Sequence, residues 1–166
     1  PSADDLMMAA WLRDAGHPVA IVTKGALIER DIDILGDMAR RGLVRVGISV
    51  TTLDPKTSRA MEPRVPLPAA RLRTIRRLTD AGIPVRVMVS PVVPALTDHE
   101  LEAILTAARD AGAVAASSSI LRLPREVAIL FRDWLEQTYP DRAARVAQTV
   151  EAVGQGDDGP GFACAF

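Results

Sequence analysis

At 166 residues, with 48% hydrophobic and 25% charged residues, the chain has the size and composition of one soluble globular unit able to bury a core. A formal net charge of -1 gives no strongly basic footprint, so nucleic acid is not supported as a partner by charge. No apolar run reaches membrane-span length and no signal-peptide pattern opens the chain, so a cytoplasmic location is expected. The one cysteine, Cys164, excludes an intrachain disulfide or a metal or iron–sulfur site built from several local cysteines.

In chain order, apolar positions at helical spacing predict helices over about 4–15, 28–41, 67–81, 98–111, 125–138 and 141–153. Leu72, Ile75 and Leu78 illustrate the spacing in the third of these. Gly16, Gly42, Gly82 and Gly112 stand just past helix ends, where a left-handed residue is wanted. An apolar run follows each glycine, which predicts strands near 18–23, 44–50, 85–89 and 113–121. The last is weakened by Ser117, Ser118 and Ser119. Pro63, Pro66 and Pro68 punctuate what reads as a long loop after the second strand, and Thr97-Asp98-His99-Glu100 reads as a capping box. Alternating strands and helices predict an α/β fold, an open partial barrel of about four parallel strands with flanking helices. Residues 1–153 form this domain, and 154–166 read as a flexible tail. The start at Pro1, leading almost directly into helix, and an apolar first strand left at the sheet edge are expected of an N-terminally truncated domain.

The second strand carries the strongest functional signal. Val44, Val46, Ile48 and Val50 share one face, and Arg45, Gly47, Ser49 and Thr51 share the other. In parallel α/β proteins ligands gather at strand C-terminal ends, where this strand becomes polar. The same alternation directs Lys24 on the first strand and Arg86, Met88 and Ser90 on the third toward the polar face. Hydroxyls there suit ribose or carboxylate groups, or else they satisfy the backbone of the adjoining loops. Arg64 is suited to clamp a carboxylate and Glu62 to accept from an amine or hydroxyl; alternatively the two form a solvated surface pair. His17 and His99 read as structural, without a second histidine at metal-ligand spacing, and no metal ligand is assigned.

Several short motifs occur in one order: Ile21-Val22-Thr23-Lys24, Arg30 to Leu35, Val46 to Asp54, Met61-Glu62-Pro63-Arg64, Arg71-Leu72 with Ile75-Arg76 and Leu78, Ala81 to Val85, Pro91 to Glu100 and Leu121 to Val127. From about residue 17 to about 150 the chain resembles radical SAM proteins of the spore-photoproduct-lyase-like group. The resemblance implies part of a (β/α)6 partial barrel. It also implies a parent protein in which an upstream Cys-x3-Cys-x2-Cys loop holds a [4Fe–4S] cluster. S-adenosylmethionine bound to that cluster would yield a 5′-deoxyadenosyl radical that abstracts hydrogen from substrate. By the same resemblance Ser49, with Thr51 beside it, faces the methionine or ribose of the cofactor, Arg64 meets its carboxylate, and Lys24 lines the site. Ser90, with the backbone from Val89 to Pro91, would lie near adenine.

The departures are also legible. The cysteine triplet is absent from this chain, so the cluster is expected in the full-length parent only and no catalytic residue is assigned here. Serines occupy 117–119 where relatives read Gly-Tyr-Val, and Gly25 follows Lys24 where relatives carry Ser or Thr. Two other readings stay open: a degenerate barrel module binding a nucleotide-like ligand or a protein partner without catalysis, and a half-barrel using Lys24 as a Schiff-base nucleophile.

Overall fold

The computed structural model describes residues 3–154 and 162–166. Helix α1 (Ala3–Asp14) leads to strand β1 (Val19–Thr23), a 3-10 turn (Ala26–Asp31), α2 (Ile32–Arg40) and β2 (Val44–Ser49). Then come α3 (Pro55–Met61), α4 (Pro68–Asp80), β3 (Val85–Val92), a 3-10 turn (Asp98–Glu100) and α5 (Leu101–Asp110). The chain continues through β4 (Ala115–Ile120), α6 (Arg125–Thr138) and α7 (Ala143–Gly154) to β5 (Phe162–Ala165). The five strands lie side by side in chain order. β1 to β4 pair in parallel, as the alternation of strand and helix requires, and β5 returns antiparallel along β4.

The strand–helix junctions form as expected. Gly16, Gly42, Gly82 and Gly112 all take positive φ, between 65° and 97°, and each turns the chain from a helix end toward the next strand. Their regular use sets every strand off in the same direction, with all four parallel C-terminal ends on one rim.

The helix-side face of the sheet is the main core. Val44, Val46, Ile48 and Val50 of the β2 segment and Val85, Val87 and Val89 of β3 are buried there. They pack on Leu35 and Met38 of α2, Ile75 and Leu78 of α4, and Ile104 and Ala108 of α5. A second cluster joins Val93 and Leu96, just past β3, to Leu135, Val146 and Val150 of α6 and α7. Among the described residues no helix is long and apolar enough to cross a membrane.

Four local expectations differ from the structure. The stretch read as loop after β2 contains α3, started by the Asp54 side chain accepting from the Lys56 and Thr57 amides, with Pro55 in the first turn. The serine run does not interrupt β4, which runs through Ser117–Ser119. Residues 162–165, read as part of a flexible tail, form β5, while 155–161 of that tail lie outside the described residues.

The fourth difference bears on the site. Thr97 and Glu100 do not form a capping box. The Thr97 hydroxyl turns back to accept from the Val93 amide at 3.0 Å, and the Glu100 carboxylate reaches the loop after β2. A distant partner has taken Glu100, and the Val93 amide four residues back has taken Thr97.

Candidate functional site

The inner face of the sheet, opposite the helices, is built in rows. Ser49 of β2 is in register with Met88 of β3, and Met88 with Ser117 of β4. Lys24, one residue past the Thr23–Ile48 pair, continues this row beyond β1. The next row toward the strand starts is Val22, Gly47, Arg86 and Ala115. These residues line a groove of about 480 Å³ together with Met88. Gly47 lets Met88 close over that row: a Cβ there would fall 2.8 Å from the Met88 Sδ and 3.3 Å from the Val22 Cγ2, so Met88 would have to shift. The Met88 thioether occupies the space that the missing side chain leaves.

Ser49 and Thr51 are buried, 6% and 2% exposed. Neither hydroxyl bonds to any described residue, and neither does that of Ser90, which is half-buried just before the cis Ser90–Pro91 peptide. The Ser117 hydroxyl is buried and also has no hydrogen-bond partner among the described residues. The role of satisfying the strand-end loop falls instead to Thr52, whose Oγ1 accepts from the Asp54 amide at 3.1 Å. A buried hydroxyl without a partner costs about 1–3 kcal/mol, a cost that falls on Ser117 here. The hydroxyls of Ser49, Thr51 and Ser90 are left free to donate and accept.

Lys24 and Glu62 meet in an ion pair, and the second Glu62 oxygen takes Arg71 Nη2 at 2.5 Å. Arg71, named in a motif of the sequence but given no site role there, is the centre of this arrangement. Its side chain is 2% exposed; Nη1 donates to the Ser49 carbonyl at 3.1 Å and Nε to the Pro66 carbonyl at 2.7 Å. One guanidinium thereby fixes the end of β2, the proline-rich turn before α4 and Glu62, which in turn holds Lys24 beside β1. Planar, five-donor arginine is suited to three acceptors in different directions, as lysine is not. The sequence did carry a signal. Arg71 lies four and seven residues before Ile75 and Leu78, a charged residue on the buried stripe of α4.

The expected Glu62–Arg64 surface pair does not form. Glu62 is committed to Lys24 and Arg71, and Arg64 is exposed with no hydrogen bond or ion pair to any described residue. The structure thus joins Lys24, Glu62 and Ser49 through Arg71 and leaves Arg64, Thr51 and Ser90 outside that network.

Burial alone would raise the Glu62 pKa, but the hydrogen bonds and charges of Lys24 and Arg71 together outweigh it and hold the carboxyl below its ordinary range. A depressed folded-state pKa contributes stability that is complete above the unfolded pKa and lost as pH falls through the folded one. We expect the urea midpoint to hold at neutral pH and fall once pH drops below about 4.3, the ordinary glutamate value. Glu62→Gln should be less stable at pH 7 and lose less on acidification. Equal acid slopes in the two proteins would show that Glu62 is not the group responsible.

A parallel α/β sheet with its polar groups gathered at the strand C-terminal rim defines the class as an open partial barrel. The sequence profile of the Radical SAM superfamily matches residues 2–108, and the chain belongs to that family. Uncharacterized proteins of Mycobacterium tuberculosis and Mycobacterium bovis are 35% identical to it over 136 residues, which cover 81% of this chain. The match takes in 40% of each mycobacterial protein, so the chain spans less than half of the relatives it resembles. The uncharacterized protein ORF301 of Acidianus two-tailed virus is 35% identical over 80 residues, 48% of this chain and 26% of the viral protein.

Proposed function

We propose that this chain forms the S-adenosylmethionine-facing wall of a radical SAM barrel. The observation that carries the reading is the set of hydroxyls on Ser49, Ser90 and Ser117, on the inner face of three neighbouring strands and without described partners. These groups can donate and accept at the ribose and adenine polar atoms of such a ligand, and Thr51 adds a further free hydroxyl beside Ser49. Lys24 supplies a cation half-open to solvent, and Arg64 an exposed one suited to a carboxylate. Glu62 acts on the ligand through Lys24, whose ammonium it orients, since both its own oxygens are engaged.

The residues of this chain fit that cofactor but not an iron–sulfur cluster. The sequence has one cysteine, and among the described residues no three His, Cys, Asp or Glu side chains gather as metal ligands. Cluster ligands therefore belong to the whole protein of which this wall would be part. In such a protein, bound cluster and cofactor supply reductive cleavage and hydrogen-atom abstraction, while these side chains bind, orient and exclude water. The finer likeness to the spore-photoproduct-lyase-like group rests on the order of the short motifs and does not carry a substrate with it.

Titration calorimetry tests the reading. The full-length protein should bind S-adenosylmethionine saturably, with affinity about tenfold lower in Ser49→Val, the order expected for losing one hydrogen bond of roughly 1.5 kcal/mol. Arg64→Ala should weaken S-adenosylmethionine more than S-adenosyl ligands lacking the carboxylate. Absence of binding by the folded full-length protein, reconstituted with iron and sulfide, would end the proposal.

A further inference from the structure

The loop after β2 is held from outside by a chain of side-chain bonds reaching three other parts of the fold. Glu100, in the 3-10 turn before α5, accepts from Thr52 Oγ1 and from the Leu53 amide, both at 2.6 Å. Asp54 accepts from the Thr57 hydroxyl at 2.7 Å, and the Tyr139 hydroxyl donates to the same Thr57 oxygen at 3.0 Å. Tyr139 is seated edge-on against Trp134, which stacks on Phe131, so this end of the chain of bonds rests on the second hydrophobic cluster.

We infer that Glu100 is a positioning residue for the strand-end site. Its two oxygens fix consecutive residues, Thr52 and Leu53, immediately after the two free hydroxyls of Ser49 and Thr51. A carboxylate receiving one hydroxyl and one amide donor constrains both the rotation of the Thr52 side chain and the path of the backbone. Arg71 holds the same strand end from below through the Ser49 carbonyl, so the five residues 49–53 are pinned at both ends by charged groups. Hydroxyls that must meet a ligand within hydrogen-bond tolerance need such support, because a small tilt of the supporting backbone removes the alignment.

The chemistry separates geometry from charge. In Glu100→Gln the amide oxygen can still accept from the Leu53 amide. The amide NH2 can donate to Thr52 Oγ1, which has a second lone pair beside the one facing the Asp54 amide. Glutamine therefore keeps the loop and loses the charge, whereas alanine loses both.

The consequence for ligand binding rests on the function proposed above; the consequence for the loop does not. Hydrogen exchange on this chain should show the Leu53 amide protected in the parent and in Glu100→Gln. In Glu100→Ala it should exchange at least tenfold faster, while the Val87 and Val89 amides keep their protection. If the alanine variant fails to fold, Thr52→Val removes one of the two donors to Glu100 and should speed Leu53 exchange by a smaller factor; unchanged exchange there would likewise count against the inference. In calorimetry of the full-length protein with S-adenosylmethionine, Glu100→Gln should bind within about threefold of the parent and Glu100→Ala at least tenfold more weakly. Unchanged Leu53 exchange in Glu100→Ala, or glutamine as damaging as alanine, overturns the inference. If the parent binds no S-adenosylmethionine while the exchange pattern holds, the proposed function falls and the loop-holding role of Glu100 stands.

Discussion

Arg71→Met should destabilise the protein by about 3 kcal/mol, the low end of the cost of breaking a buried ion pair, because Lys24 still faces Glu62. For a chain of this size that corresponds to a melting temperature lower by roughly 10 °C. The loss exceeds that of a surface bridge such as Arg40–Asp37, worth at most about 1 kcal/mol, because Arg71 is 2% exposed and its Glu62 partner 13%. Three acceptors lose their donor at once: Glu62, the Ser49 carbonyl and the Pro66 carbonyl. Arg71→Lys should recover only part, since one ammonium cannot face all three. The double variant Arg71→Met with Glu62→Gln should lose little more than Arg71→Met alone, because the Glu62–Arg71 bond is already gone. Thermal denaturation of the four proteins decides the matter, and an Arg71→Met variant as stable as the parent would refute the account.

Gly112→Ala should cost about 2–4 kcal/mol, set against about 1 kcal/mol for Gly42→Ala. Both glycines have positive φ, +97° and +68°, which an alanine adopts at a cost of about 1 kcal/mol. They differ in their surroundings. A Cβ on Gly42 meets nothing within 4 Å, while one on Gly112 falls 2.5 Å from Thr79 Oγ1 and 3.0 Å from Thr79 Cβ. Thr79 cannot simply turn away, because its hydroxyl bonds the Arg76 carbonyl and the Ala111 carbonyl, each at 3.0 Å. Overpacking of this kind adds about 1–3 kcal/mol. Urea denaturation of the two variants should rank them in that order; equal losses would mean that backbone conformation alone sets the effect.

These two sites mark how far the sequence could be read. The four glycines were legible because their signal is local: a helix-ending residue that takes positive φ, followed by an apolar run. Strand faces follow from two-residue alternation, which places Ser49 opposite the core. α3 had a local signal as well, an aspartate followed by proline, but the nearby prolines suggested loop. Glu100 shows the opposite failure. Its capping-box pattern was sound locally, and a partner 48 residues earlier in the chain outcompeted it. Arg71 stood on an apolar stripe as the odd member, yet its three acceptors are assembled only by tertiary folding. β5 has four residues and depends wholly on pairing with β4, a non-local event that so short a segment does not announce.

That antiparallel strand also makes the two edges of the sheet unlike. β5 covers β4 along Ala115–Ser118, so among the described residues the sheet ends in a four-residue antiparallel strand on one side and in the parallel strand β1 on the other. A further strand that runs parallel beside Val19–Thr23 brings its last residues alongside Lys24. A strand-forming segment fused to this chain and seated on the β1 edge in that sense thus delivers its final side chains to the rim where the Ser49 and Thr51 hydroxyls lie.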